Sequence, residues 1–126
     1  MGDDWYKNQF ENKHSEINEF LTNKTTTGRS HRTLNEYSRI LKKFSHEHFP
    51  ELEPQDVEVI HIEQYLRILV ERDLAQNTKR RYLESLSSFY AWAMKRPRYT
   101  EITGNPAAVV LEEIPKQIRD RPDCAT

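Results

Sequence analysis

The chain has 126 residues and a formal net charge of −1; 36% of its residues are hydrophobic and 31% are charged. This length suits one domain with a modest core, and no apolar run approaches the ~18 residues that a membrane-spanning helix needs. The one cysteine, Cys124, cannot form an intrachain disulfide, so the composition excludes a disulfide-stabilised scaffold and favours a cytoplasmic protein.

The hydrophobic spacing predicts helices nearly throughout, and no stretch alternates as an amphipathic strand would. After a tail at residues 1–6, the first predicted helix runs from about Lys7 to Asn23. Residues 24–29 are polar and include Gly28, so they predict a loop. The inward side of this helix is predicted to consist of Phe10, Ile17, Phe20 and Leu21.

The second predicted helix begins at Ser30, a favourable N-cap, and ends at His48, because Pro50 cannot continue it. Residues 50–57 contain two prolines and three acidic residues, which predicts a connector. The inward side of the helix is predicted to consist of Leu34, Tyr37, Leu41, Phe44 and His48.

A third helix is predicted from about His61 to Arg72, and a fourth from Asn77, as the N-cap, to about Lys95. Pro97 stops the fourth helix. The inward residues of the third are predicted to be Ile62, Tyr65, Leu66 and Leu69. Those of the fourth are predicted to be Leu83, Leu86, Phe89, Tyr90 and Ala93.

A short fifth helix is predicted from Asn105, its cap, to about Glu112, with Pro106 in the first turn. The fold prediction is therefore all-α, a compact bundle of four helices plus a short fifth. The domain is expected at residues 7–112. The polar residues 113–126 are expected to form a linker.

The near-neutral total charge hides two basic segments. Residues 24–49 contain six Lys or Arg against two acids, a net charge of +4, and residues 76–99 contain six against one, a net charge of +5. The remaining segments are acidic. Because local charge decides what a surface attracts, a fold that brings the two basic segments to one side would attract a polyanion.

Both basic segments coincide with predicted helices whose outward faces are polar. Arginine can pair bidentately with guanine and asparagine with adenine, and a helix N-terminus favours phosphate. The alternative interpretation is a pair of ordinary solvated helix faces. The candidate DNA-binding residues are Arg32, Asn35, Arg39 and Lys43 on the second helix and Asn77, Thr78, Arg80, Arg81 and Ser88 on the fourth.

The sequence predicts no catalytic site, metal site or cofactor in this chain. Its five histidines are scattered, and neither His46-Glu47-His48 nor His61-Ile62-Glu63 forms the HExxH pattern of zinc proteases. No stretch resembles a nucleophile elbow. We therefore expect no small-molecule substrate.

The ordered motifs of these helices resemble those of a known family. The second helix contains Ser30, Thr33, Tyr37, Leu41 and Phe44 at the family's spacing. The fourth contains Asn77, Thr78, Arg81, Leu83, Leu86, Phe89, Tyr90 and Trp92. Ile62, Tyr65 and Leu66 fit between them, and Asn105-Pro106-Ala107 follows. The set is similar to the N-terminal core-binding, SAM-like domain of tyrosine recombinases of the phage-integrase type.

This resemblance implies one half of a C-shaped clamp around duplex DNA, with the second and fourth helices facing the major groove. It also implies contacts with other recombinase protomers, and a separate catalytic domain after a linker such as residues 113–126. The chain departs from the family at Ser87, where a basic residue is common. An alternative remains a helical protein-interaction module without DNA binding, which would show scattered basic residues rather than one continuous basic face.

Overall fold

The computed structural model describes residues 11–115, and every regular element within them is helical. The five α-helices are α1 (Ser15–Thr26), α2 (His31–Lys43), α3 (Val59–Glu71), α4 (Gln76–Met94) and α5 (Pro106–Glu112). A π-helical turn, Phe44–His48, extends α2, and a 3-10 turn, Pro54–Asp56, lies in the connector before α3. The prediction of an all-α bundle of four helices plus a short fifth is confirmed.

The part of the first predicted helix that the structure describes differs from the prediction, since α1 begins at Ser15. Residues 11–14 are not helical, and residues 7–10 lie outside the described part of the chain. Asn12 and Asn18 exchange two hydrogen bonds: the Asn12 N–H donates to Oδ1 of Asn18 at 2.9 Å, and Nδ2 of Asn18 donates to the Asn12 carbonyl at 2.7 Å. Because the Asn18 side chain satisfies both backbone groups of Asn12, the chain enters α1 as a turn.

The same helix also ends later, at Thr26, so residues 24–26 of the predicted loop are helical. Gly28 has a φ of 97°, a conformation that favours glycine. The N–H of Arg29 donates to the Lys24 carbonyl at 3.0 Å, and the N–H of Gly28 donates to the Thr25 carbonyl at 3.2 Å. These two bonds form a Schellman motif, which moves the helix end to the residues just before Gly28.

The N-cap predictions had mixed outcomes. Ser30 caps α2 as predicted, since its Oγ accepts a hydrogen bond from the Thr33 N–H at 3.2 Å. Asn77 is not a cap: the N-cap of α4 is Ala75, so the helix starts at Gln76 and Asn77 lies in its first turn. The third helix starts two residues before the predicted His61, whose Nδ1 instead accepts from the Glu58 N–H at 2.9 Å.

The core lies where α1, α2, α3 and α5 meet α4, which contacts all four. Phe20 of α1 is completely buried, and its ring lies 5.5–5.7 Å from the rings of Tyr37, Phe89 and Trp92. Phe20 thus holds α2 and α4 side by side. The predicted inward residues are confirmed as buried, except for the half-buried Tyr37, His48 and Leu66 and for Phe10, which lies outside the described residues.

The fifth helix is anchored on α4 through Asn105. Its Oδ1 accepts from the Ala108 N–H at 3.0 Å, which confirms the predicted cap. Its Nδ2 donates to the carbonyl and to Oγ of Ser87 at 3.0 and 3.2 Å. Ser87 is therefore occupied in joining α4 to α5, which gives this position a structural role in place of the basic residue common in the family.

Candidate nucleic-acid interface

The outer face of α2 is an uninterrupted polar stripe. Its four residues are all exposed, and they recur at steps of three and four on the side opposite the buried Leu34 and Leu41. The stripe contains no acidic residue. At 1.5 Å per residue it is about 17 Å long, which is about five base-pair steps of a duplex. We call it the α2 stripe; its residues are Arg32, Asn35, Arg39 and Lys43.

Arg81 of α4 lies beside this stripe and is bound to α2 by an ion pair. Its Nε and Nη2 donate to Oε2 of Glu36 at 2.9 and 2.6 Å. The Arg81 side chain is still 57% exposed, against 25% for Glu36. The pair therefore fixes the two helices relative to each other while leaving the guanidinium accessible. Sequence reasoning overlooked Glu36, although it is the one acid of α2.

A shallow groove separates α2 from α4 at this point, and Ser88, which is half-buried, lines it. Asn77 and Thr78 lie in the first turn of α4, the former exposed and the latter half-buried. That turn contains no acidic residue. Its backbone N–H groups and positive dipole end consequently favour an anion.

Arg80 is placed differently from the sequence-based expectation. Its side chain is only 14% exposed, and Nη1 donates to the carbonyls of Ile114 and Leu111 at 2.6 and 3.4 Å. Glu84 approaches its Nη2 at 3.6 Å. Arg80 caps the C-terminal end of α5, so its guanidinium is unsuited to a DNA contact. Helical periodicity alone places Arg80 at the edge of the polar face. It cannot show that α5 packs over that edge.

We expect Arg80→Met to lower the free energy of unfolding by about 2 kcal/mol, because buried carbonyls lose a charged hydrogen-bond donor. Urea denaturation of the purified domain measures this change. The matched variant Arg81→Met should cost less than about 1 kcal/mol, since an exposed ion pair contributes little to stability. Equal costs for the two variants would contradict the structural role of Arg80.

His46 is half-buried and lies in the π-helical turn that follows α2. The π-helical turn wraps more residues into one turn, so residues after Lys43 leave the phase of α2. The Nε2 of His46 accepts a hydrogen bond from the Lys13 N–H at 2.9 Å. Burial, together with the positive charge of Lys42 and Lys13, lowers the pKa of His46. A neutral imidazole at this position joins α2 to the segment before α1.

Two buried tyrosines on the inner sides of α3 and α4 hold their protons strongly. Burial raises the pKa of Tyr65 and that of Tyr90, and the Tyr90 hydroxyl donates to the Pro54 carbonyl at 2.7 Å. Within residues 11–115, no three His, Cys, Asp or Glu side chains are placed to hold a metal ion together. No helix in the same span has the length and apolar character to cross a membrane.

Comparison with known proteins gives one finding. The family model described as phage integrase, N-terminal SAM-like domain, matches residues 16–99. The match includes α2 and α4 entire, and thus the residues of the candidate interface. No curated protein and no solved structure matches the chain.

Proposed function

The chain belongs to the family of phage integrase N-terminal SAM-like domains, and from this premise we propose that it is the non-catalytic, duplex-DNA-binding domain of a tyrosine recombinase. In this proposal α2 and α4 grip the core recombination site from one side. The protein binds DNA in the cytoplasm, on a chromosome or plasmid.

The observation that carries the proposal is the α2 stripe next to Arg81. Three exposed cations, Arg32, Arg39 and Lys43, follow one helix face, and Glu36 at the edge of that face pairs with Arg81. The major groove of B-DNA is about 12 Å wide and admits one helix. A helix seated there places its flanking cations near the phosphates, and Asn35 near base edges. A row of cations along one helix face supports this proposal over the protein-interaction alternative, for which scattered basic residues are expected.

Fluorescence anisotropy with a labelled 20-base-pair duplex tests the proposal across a series of salt concentrations. Because each neutralised phosphate releases counterions, log K should fall linearly with log salt by about 0.9 per contact. Absence of binding at 50 mM salt, or an affinity that salt does not change, would exclude a DNA-binding role.

Glu36 lies between the stripe and Arg81 and neutralises one of the cations, so its carboxylate should oppose phosphate binding. We expect Glu36→Gln to raise the affinity for the duplex about fivefold at 0.15 M salt, as one additional phosphate contact would. The slope against log salt should become steeper by about 0.9. Glu63→Gln, an exposed acid of α3, is the control and should change neither value. If Glu36→Gln instead lowered the affinity for the duplex, the ion pair would be needed to hold Arg81 in position for binding.

We also propose that DNA cleavage is carried out by a separate catalytic domain of the parent recombinase, towards which residues 113–126 lead. Tyr65 and Tyr90 are buried on core-facing sides, which agrees with a non-catalytic role for them. Other recombinase protomers are the proposed protein partners. Ile60, Val70 and Val109 are each about half exposed, on α3 and α5, and provide apolar surface away from the α2 stripe for such contacts.

A further inference from the structure

A second group of cations lies where the C-terminal ends of α1 and α4 meet. Lys24 comes from the last turn of α1, Arg29 follows that helix, and Lys95 and Arg96 end α4. Arg29 and Lys95 are exposed, whereas Lys24 and Arg96 are half-buried. The four residues are called the terminal patch below.

Like charges are close together in this patch. The pKa of Lys24 is lowered first by burial and then by repulsion from Arg29, Arg96 and Lys95. Glu19, an acid of α1, is already engaged by Arg98 and by the Tyr99 hydroxyl. Within residues 11–115, no ion pair with a carboxylate neutralises any of these four cations.

Aromatic residues of the core hold two of these cations in position. The Lys24 Nζ lies 5.6 Å from the ring centroid of Phe20, and the Arg96 guanidinium carbon lies 4.7 Å from that of Trp92. The Nε of Arg96 is buried without a hydrogen-bond partner among the described residues. Cations near helix C-termini do stabilise the helix dipoles. Stabilisation of the helix dipoles does not by itself account for four cations at one place, two of which lie against aromatic rings.

We infer that Lys24, Arg29, Lys95 and Arg96 form a second phosphate-binding patch, which contacts the DNA backbone beyond the segment that the α2 stripe covers. Arg29 connects the two surfaces, because it lies three residues before Arg32 at the start of α2. This inference rests on the proposed DNA-binding function. The ligand is a row of duplex phosphates, which several separated cations can contact at once.

The double variant Lys24→Gln/Lys95→Gln tests the inference by anisotropy on the 20-base-pair duplex. We expect the affinity at 0.15 M salt to fall about 30-fold and the salt slope to become shallower by about 1.8, the values for two lost phosphate contacts. Lys95→Gln alone should lower the affinity about fivefold. This single variant also keeps the test valid if the double variant unfolds, because Lys95 is exposed. The matched control for Lys95→Gln is Arg67→Gln, which removes one exposed charge on α3 and should leave the slope unchanged.

The results separate this inference from the proposed function. If the unmodified domain binds no duplex, the proposed function fails. If it binds, and α2-stripe variants weaken binding while Lys24→Gln/Lys95→Gln does not, the inference alone is wrong. Titration with inorganic phosphate at constant ionic strength tests whether the terminal patch binds a small anion instead of the duplex. If phosphate bound the unmodified domain but not the double variant, while both bound the duplex equally well, the patch would be assigned to a small anion and the inference would be overturned.

Discussion

Replacing Arg32, Arg39 and Lys43 together by alanine is expected to lower the affinity for a duplex at 0.15 M salt on the order of 100-fold. Each lost phosphate contact removes about 0.9 from the slope of log K against log salt, so three contacts remove about 2.7. All three side chains are exposed, whereas that of Arg80 is largely buried. The loss should therefore appear in DNA binding rather than in folding.

The measurement is anisotropy over a salt series, with circular dichroism to check that the triple variant keeps its helices. The control is again Arg67 of α3, as Arg67→Ala, an exposed cation on a helix that packs on α4 and α5. The slope of log K against log salt reports the number of phosphate contacts, so the loss of slope can be compared per removed charge. Equal loss of slope per charge in both would show that total charge, and not the α2 stripe, governs binding.

Phe20→Ala is expected to lower the free energy of unfolding by about 4 kcal/mol, within the range measured for buried phenylalanines. The side chain is completely buried and contacts three aromatic rings, so its removal leaves a cavity as well as lost edge-to-face contacts. A domain of this size is stable by about 5–15 kcal/mol in total, so the variant loses a large fraction of its stability. Urea denaturation followed by circular dichroism measures the change.

The same substitution should also weaken DNA binding, although Phe20 is far from solvent. Its ring touches Tyr37 of α2 and both Phe89 and Trp92 of α4, so it sets the spacing of the two proposed DNA-binding helices. Phe20→Leu keeps most of the volume and should cost clearly less stability. Phe49→Ala, at a half-buried ring against Phe44, is the second control and should cost less than Phe20→Ala. A cost below 1 kcal/mol for Phe20→Ala would contradict this role.

Most of the fold could be predicted from the sequence because helical periodicity, prolines and caps act over a few residues. Ser30 and Asn105 were identified as caps, and the structure shows both accepting the expected backbone N–H. The errors arose where a different local interaction competed. Asparagine pairing delayed the start of α1, and a Schellman motif extended its end to Thr26. At α4, Ala75 occupies the N-cap position without a side-chain hydrogen bond, and Asn77 lies in the first turn.

The candidate interface could be predicted only in part. The exposure of the α2 stripe follows from the burial of Leu34 and Leu41 on the opposite side of the same helix. On α4 the same reasoning made both Arg80 and Arg81 candidates. A step of about 100° around the helix leaves Arg80 at the edge of the polar face that contains Arg81. The structure gives them opposite roles, because α5 covers Arg80 while Arg81 reaches Glu36 of α2.

By itself the sequence determined that this chain forms helices, which side of each is buried, and that two segments are basic. These properties depend on residues within one or two turns of each other. Only the tertiary structure decided that Glu36 meets Arg81, that Arg80 caps α5, and that Lys24 lies near Lys95 and Arg96. The partners are distant in the sequence, and the packing of whole helices around α4 determines which side chains meet.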